Sequence, residues 1–170
     1  RSMFGESYRR AAAVAVKTIR ELHPSHRFTL LACDTDCRAL PGGFQTPGAQ
    51  SASDVKRFLD GMSPEGGSDP TAAVRNARAA ASGESGRDLR IVYIGDGTPT
   101  VGPIRPGYVT RAIEEAVPAG GGTVTAIAIG ADSDLDTLGA MARGGGGVVV
   151  ASLSGQSTAG AAYAVRGATY

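Results

Sequence analysis

The stretch IVYIGDG, residues 91–97, decides the fold. Ile91, Val92, Tyr93 and Ile94 are β-branched or aromatic and leave no polar face. A strand that is apolar on both sides belongs inside a sheet covered on both faces, which is the habit of parallel sheets. The run ends at Gly95-Asp96-Gly97, a turn carrying one carboxylate. In open α/β sheets ligands gather outside the carboxyl ends of the strands, so Asp96 stands where chemistry is expected.

Reading outward, residues 124–130 (VTAIAIG) form a second buried strand that leaves through Asp132 and Asp134. Residues 27–32 (RFTLLA) form a third, leaving through Asp34-Thr35-Asp36, and residues 148–150 a short last one. Helices fill the intervals. Residues 6–22 carry Ala12, Val16 and Ile19 at helical spacing, and Pro24 stops them. A short helix over 55–61 is opened by Ser53-Asp54. Another covers 71–81, with Asp69 as a cap and Pro70 in the first position. Further helices are read over 108–117, 135–143 and 154–166. Residues 38–53 read as an irregular loop with at most a short edge strand. This order predicts a Rossmann-like α/β fold, a mostly parallel sheet with helices on both faces, that begins on a helix. With no internal repeat and no long linker, residues 1–170 read as one domain, 152–170 being a terminal helix or the start of a following segment.

Bulk properties narrow the function. The chain has 170 residues and a formal net charge of +1 from 17 basic and 16 acidic residues, with no basic block. Nucleic-acid binding normally leaves a basic footprint, and with no Trp and 5 % aromatics there is no stacking platform either. No apolar run reaches membrane-spanning length. The phosphate loop GxxxxGK[ST] is absent, and so is the G-x-S-x-G elbow. Gly144 to Gly147 precede a strand rather than opening a helix, which is the wrong context for dinucleotide binding. No His sits where a triad needs one, and His23 and His26 read as surface residues. The chain is therefore read as a non-enzyme, a magnesium-dependent enzyme being the remotest alternative. Cys33 and Cys37 either close a tight loop as a disulfide or stay as thiols, Cys33 then being a small buried one. Tyr8, Arg9 and Arg10 face solvent or cover the sheet edge.

Three oxygen-bearing loops are candidates to converge at the carboxyl edge: Ser2-Met3-Phe4-Gly5 before the first helix, Gly66-Gly67-Ser68-Asp69 before the third, and Asp96-Gly97. Hydroxyl and carboxylate oxygens suit a hard cation such as Mg2+, which keeps several waters. In this order the three motifs resemble the von Willebrand factor A domain with its metal-ion-dependent adhesion site. Arg1-Ser2-Met3-x-Gly5 looks like the tail of the family's Asp-x-Ser-x-Ser motif, Ser2 matching the final Ser. Ser68 matches the family's Thr after a glycine pair, and Asp96-Gly97 its central Asp-Gly. Pro64-Glu65-Gly66-Gly67-Ser68-Asp69 is similar to the Pro-x-Gly-Gly-Thr-Asp stretch of bacterial and inter-alpha-trypsin-inhibitor-like A domains.

The resemblance implies a metal site at Ser2, Ser68 and Asp96 holding Mg2+, or Mn2+ or Ca2+. It implies an adhesion or protein-binding role in which a partner's acidic side chain completes the ion's shell. The family's first strand and leading Asp are not in this sequence, and the expectation is that they lie upstream or on another chain. The alternative function is a structural or scaffold A-like domain with a degenerate metal site. Ala, Gly and Arg usage suggests a bacterial source. An extracellular, cell-surface or periplasmic location is expected ahead of a cytoplasmic one.

Overall fold

A computed structural model describes residues 2–34, 36–62, 69–83, 88–100, 102–130 and 133–152. Its elements follow in the order α1 (Ser2–Arg20), β1 (Leu31–Cys33), β2 (Cys37–Ala39), α2 (Ala49–Asp60), α3 (Pro70–Ala80), β3 (Arg90–Gly95), α4 (Pro106–Ala116), β4 (Thr123–Ile129), α5 (Leu135–Gly145) and β5 (Gly146–Ser152). The helix read over residues 154–166 falls outside the described residues.

The two apolar runs pair in parallel as read, with Arg90 opposite Thr123 through to Gly95 opposite Ala128. β5 joins the other edge of β4, so the sheet runs β3-β4-β5. β4 is buried from Val124 to Ile129, and alternation along the strand sends its side chains to two different layers. Val124, Ala126 and Ala128 meet Val74 of α3, Val109 and Ile113 of α4, and Leu138 and Met141 of α5. Ile127 and Ile129 meet Val14 of α1. Helices thus cover both faces of a parallel sheet. A further cluster joins Ala15, Val16 and Ile19 of α1 to Phe28, Leu40 and the Ala52, Val55 and Leu59 of α2, with Ile94 of β3 packed against it.

The third strand departs from the reading. β1 does not extend the parallel sheet among the described residues. It folds back and pairs antiparallel with β2, Leu31 opposite Ala39 and Cys33 opposite Cys37. Phe28 and Gln45 continue the ladder with reciprocal backbone bonds of 3.0 and 2.8 Å. The chain doubles back between Cys33 and Cys37, where the Asp36 N–H donates to Asp34 Oδ1 at 3.0 Å, and Gly42 and Gly43, both at positive φ, accommodate the extra residues between Leu40 and Gln45 on the returning side. Cys33 and Cys37 form a disulfide across the hairpin, and Cys33 is exposed rather than a buried thiol. α2 also starts six residues before the helix read from Val55. Ser51 turns its hydroxyl back onto the carbonyls of Thr46 (2.9 Å) and Gly48 (3.2 Å), so the Pro-Gly stretch ends in a helical turn instead of a loop.

Tyr8 is half-buried, not merely solvent-facing. Its hydroxyl donates to the Leu59 carbonyl at 2.6 Å and ties α1 to α2. Burial raises its pKa above the ordinary 10.0, and the negative charge of Asp60 adds to the effect. A phenol whose folded pKa is raised stabilises the fold below pH 10 and loses that contribution as pH climbs through the folded value. Tyr8→Phe should therefore cost about 0.5–1.5 kcal/mol at neutral pH and flatten the loss of stability above pH 10, read from urea melts across pH. At the join between α5 and β5 the backbone passes so close to β4 that a Cβ on Gly145 would run into the Val124 side chain. Gly145→Ala should destabilise by about 1–3 kcal/mol. Gly5→Ala, in a helix with room for a methyl, should instead stabilise by about 0.5–1 kcal/mol, both read by the same melts.

Candidate functional site

Parallel pairing sets the exits of β3 and β4 side by side, and the loops beyond them are clasped. The Asp134 backbone N–H donates to the Asp96 carbonyl at 2.7 Å. Gly97, at φ 74°, lies against Leu138 of α5, where a Cβ would stand 2.5 Å from the Leu138 Cγ. The loop beyond β3 reaches the start of α3 as well: Gly102, at φ 80°, lies against the Asp69 carboxylate, 2.5 Å from where its Cβ would be. Gly130, at the exit of β4, faces Ser7 of α1. The amino ends of α1, α3 and α5 and the exits of β3 and β4 thus share one edge, where the sequence motifs had pointed.

The carboxylates described at that edge each accept hydrogen bonds from their own turns. Asp96 Oδ1 accepts from the Thr98 N–H at 3.0 Å, an Asx turn that shapes the strand exit. Asp69 Oδ1 accepts from the Thr71 hydroxyl at 2.8 Å and the Ala72 N–H at 3.0 Å, capping α3 as its sequence predicts. Asp134 Oδ1 accepts from the Thr137 N–H at 3.0 Å and its Oδ2 from the Thr137 hydroxyl at 2.9 Å. The sequence signal for this second cap is the Asp-x-x-Thr spacing of residues 134–137, which the reading of Asp134 as an acidic exit does not use. Ser133 spends its hydroxyl on the carbonyls of Ile129 and Gly130.

Of the three residues proposed to hold an ion, the Asp96 side chain alone is placed. Ser68 and the side chain of Ser2 lie outside the described residues, as do Thr35 and Asp132. Asp34 and Asp36 serve the β1–β2 turn, the Asp36 N–H donating to Asp34 Oδ1 at 3.0 Å. Among the described residues no group of three or more His, Cys, Asp or Glu could hold a metal ion. The expectations of metal-dependent adhesion, a Mg2+, Mn2+ or Ca2+ cofactor, and a partner's acidic side chain completing its shell are therefore corrected. The carboxylates described at this edge do not gather into such a set, because Asp69, Asp96 and Asp134 each give an oxygen to an amide of their own turn rather than to a shared centre.

The family model for the von Willebrand factor type A domain matches residues 3–151. Solved structures agree on the fold. An aerotolerance-related membrane protein from Bacteroides fragilis superposes with TM-score 0.75 at 16 % identity, over 95 % of this chain and 87 % of that one. A von Willebrand factor type A protein from Catenulispora acidiphila gives 0.74 at 19 % identity, over 95 % of this chain and 37 % of that one. Proximal thread matrix protein 1 from the mussel byssus, with a zinc-occupied metal-ion-dependent adhesion site, gives 0.69 at 16 % identity, over 95 % of this chain and 42 % of that one.

Replacing Asp134 by Ala should cost about 1 kcal/mol, the usual worth of an N-cap, while Asp134→Asn, whose amide oxygen can still accept from Thr137, should lose only a few tenths. Chemical denaturation of the two variants distinguishes a capping Asp134, which predicts that ranking, from one whose charge alone matters, which predicts equal losses.

Proposed function

Because the chain belongs to the von Willebrand factor type A domain family, we propose that it works as a structural or scaffold interaction domain whose metal site is degenerate and whose partners are recognised by protein surface alone. Domains of this family are generally non-catalytic protein-interaction modules, and this chain is not an enzyme. The observation that carries the scaffold reading is the internal commitment of Asp69, Asp96 and Asp134. A carboxylate that already accepts from a helix or turn amide stabilises its own loop, and diverting it to an ion would uncap that element at about 1 kcal/mol each. The edge is thereby built as a fixed surface.

Residues 1–170 act as one domain in this reading. The β1–β2 core and the parallel sheet share α1, which supplies Val14 to one and Val16 and Ile19 to the other. Among the described residues no helix is long and apolar enough to cross a membrane. An extracellular, cell-surface or periplasmic location is supported by the Cys33–Cys37 disulfide, since such bonds persist in oxidising compartments. The similar Bacteroides fragilis protein is described as a membrane protein.

The scaffold reading predicts that divalent cations are irrelevant. Thermal melts in excess EDTA and in millimolar Mg2+ or Mn2+ should coincide. Affinity capture from bacterial extract should return the same partner proteins in both buffers. A partner held only in the presence of the cation would overturn the reading.

A further inference from the structure

β5 stands at one edge of the described sheet, whose order is β3-β4-β5. Which of its main-chain groups face outward follows from the ladder. The Thr123 N–H donates to the Leu89 carbonyl, so the odd-numbered residues of β4 turn their N–H and C=O groups to β3 and the even-numbered ones to β5. Ala126 stands opposite Val149 and therefore bonds to Val148 and Val150. The N–H and C=O groups of Val149 and Ala151 are left pointing away from the sheet, and neither residue makes another backbone hydrogen bond among the described residues. An edge strand of this kind is a template for a further strand.

Edge strands are ordinarily blunted by charge, proline, a bulge or shortness. Residues 144–152 read GGGGVVVAS, with no charge and no proline. The strand has seven residues. The irregularity in its ladder lies at its start, opposite Val124 to Ala126, so β5 is regular from Val149 onward. β3, at the other edge, begins instead at the exposed Arg90. Val149 packs against the α4 and α5 core, and alternation turns Val148 and Val150 to the opposite face. Val148 is 47 % exposed and Val150 is only partly buried.

These features fit one occupant. Outward N–H and C=O groups on alternate residues are matched by another extended strand. Apolar, uncharged neighbours favour a strand of the same make. β5 itself meets both conditions, and two copies of it meet without like-charge repulsion. Turned antiparallel about a two-fold axis at Val150, Val149 of one copy stands opposite Ala151 of the other. Each then donates its N–H to the other's carbonyl, which satisfies all the outward groups of both residues. Val148 and Val150 of the two copies fall on one face as a continuous apolar row.

We propose that β5 is a self-association surface, to which a second copy of this chain adds its own β5 antiparallel, so that two sheets become one. The contact is symmetric and closes on itself, so assembly stops at a dimer. The antiparallel join points the carboxyl edges of the two copies in opposite directions. No metal takes part. The proposal goes beyond the scaffold reading and stands without it.

Sedimentation equilibrium of the whole chain over a dilution series reads the balance of monomer and dimer, and amide hydrogen exchange reads the edge. The dimer should grow with concentration. The amides of Val149 and Ala151 should exchange fast in dilute samples and slow down as the dimer forms. Val148→Lys puts a charge on the edge and Ala151→Pro removes an outward N–H, and each should weaken association by about tenfold or more. Ala151→Ser, which keeps the amide, should leave it intact. Val148 is exposed, so the dilute Val148→Lys monomer should melt as the parent does, and that variant decides the matter if the proline variant folds poorly. A monomer at every concentration overturns the proposal, as does association that Val148→Lys leaves untouched or that runs past a dimer. Slow exchange of Val149 and Ala151 at every dilution overturns it too, since the chain then covers the edge itself.

Discussion

Val124 to Ile129 lie between two parallel neighbours and two helical layers, and each of those six side chains is sheltered from water. That double burial organises the rest. The face holding Val124, Ala126 and Ala128 is built largely of small side chains, which lets α4 and α5 approach closely, and the larger Ile127 and Ile129 fill the space under α1. Each large side chain so buried is worth about 1.5–3 kcal/mol. The glycines between α5 and β5 follow from the same constraint: Gly145 and Gly147 lie against Val124, where a side chain would collide with the strand. Without them α5 could not turn directly into β5, and the third strand would not reach its register.

The constraint also fixes the functional edge. Parallel strands in register end together, so Asp96 and Gly130 arrive at one place whatever the loops contain. The bond from Asp134 to the Asp96 carbonyl then joins the two exits directly, and Gly102 brings the α3 start against them through Asp69. Loop geometry here is a consequence of strand register, which is why hydrophobic pattern alone assigns motifs far apart in sequence to one edge.

What the sequence made legible was what hydrophobic pattern governs. β3, β4, α3, α4 and α5 fell within a few residues of their reading, because a doubly apolar strand and a capped amphipathic helix have few other solutions. The β1 segment misled, since RFTLLA has the same apolar density as a buried parallel strand. Its fate was set by the tight turn between Cys33 and Cys37, which Asp34 and the disulfide close, drawing the chain into a hairpin. At the site, the place of Asp96 and the capping role of Asp69 were legible; the role of Asp96 was not. An aspartate at a strand exit looks the same in sequence whatever its oxygens face, and only in three dimensions does Oδ1 emerge as the acceptor for the Thr98 N–H.

The same distinction explains how an edge of this kind can stand without an ion. Carboxylates brought together to share a cation repel one another once it is gone, by roughly 4 kcal/mol for two charges 4 Å apart near a protein surface. A chain that keeps the acids but turns each toward its own donor offsets part of that cost. Asp69 and Asp134 each satisfy an amide at a helix start and sit at the favourable end of the helix dipole, and Asp96 closes a turn.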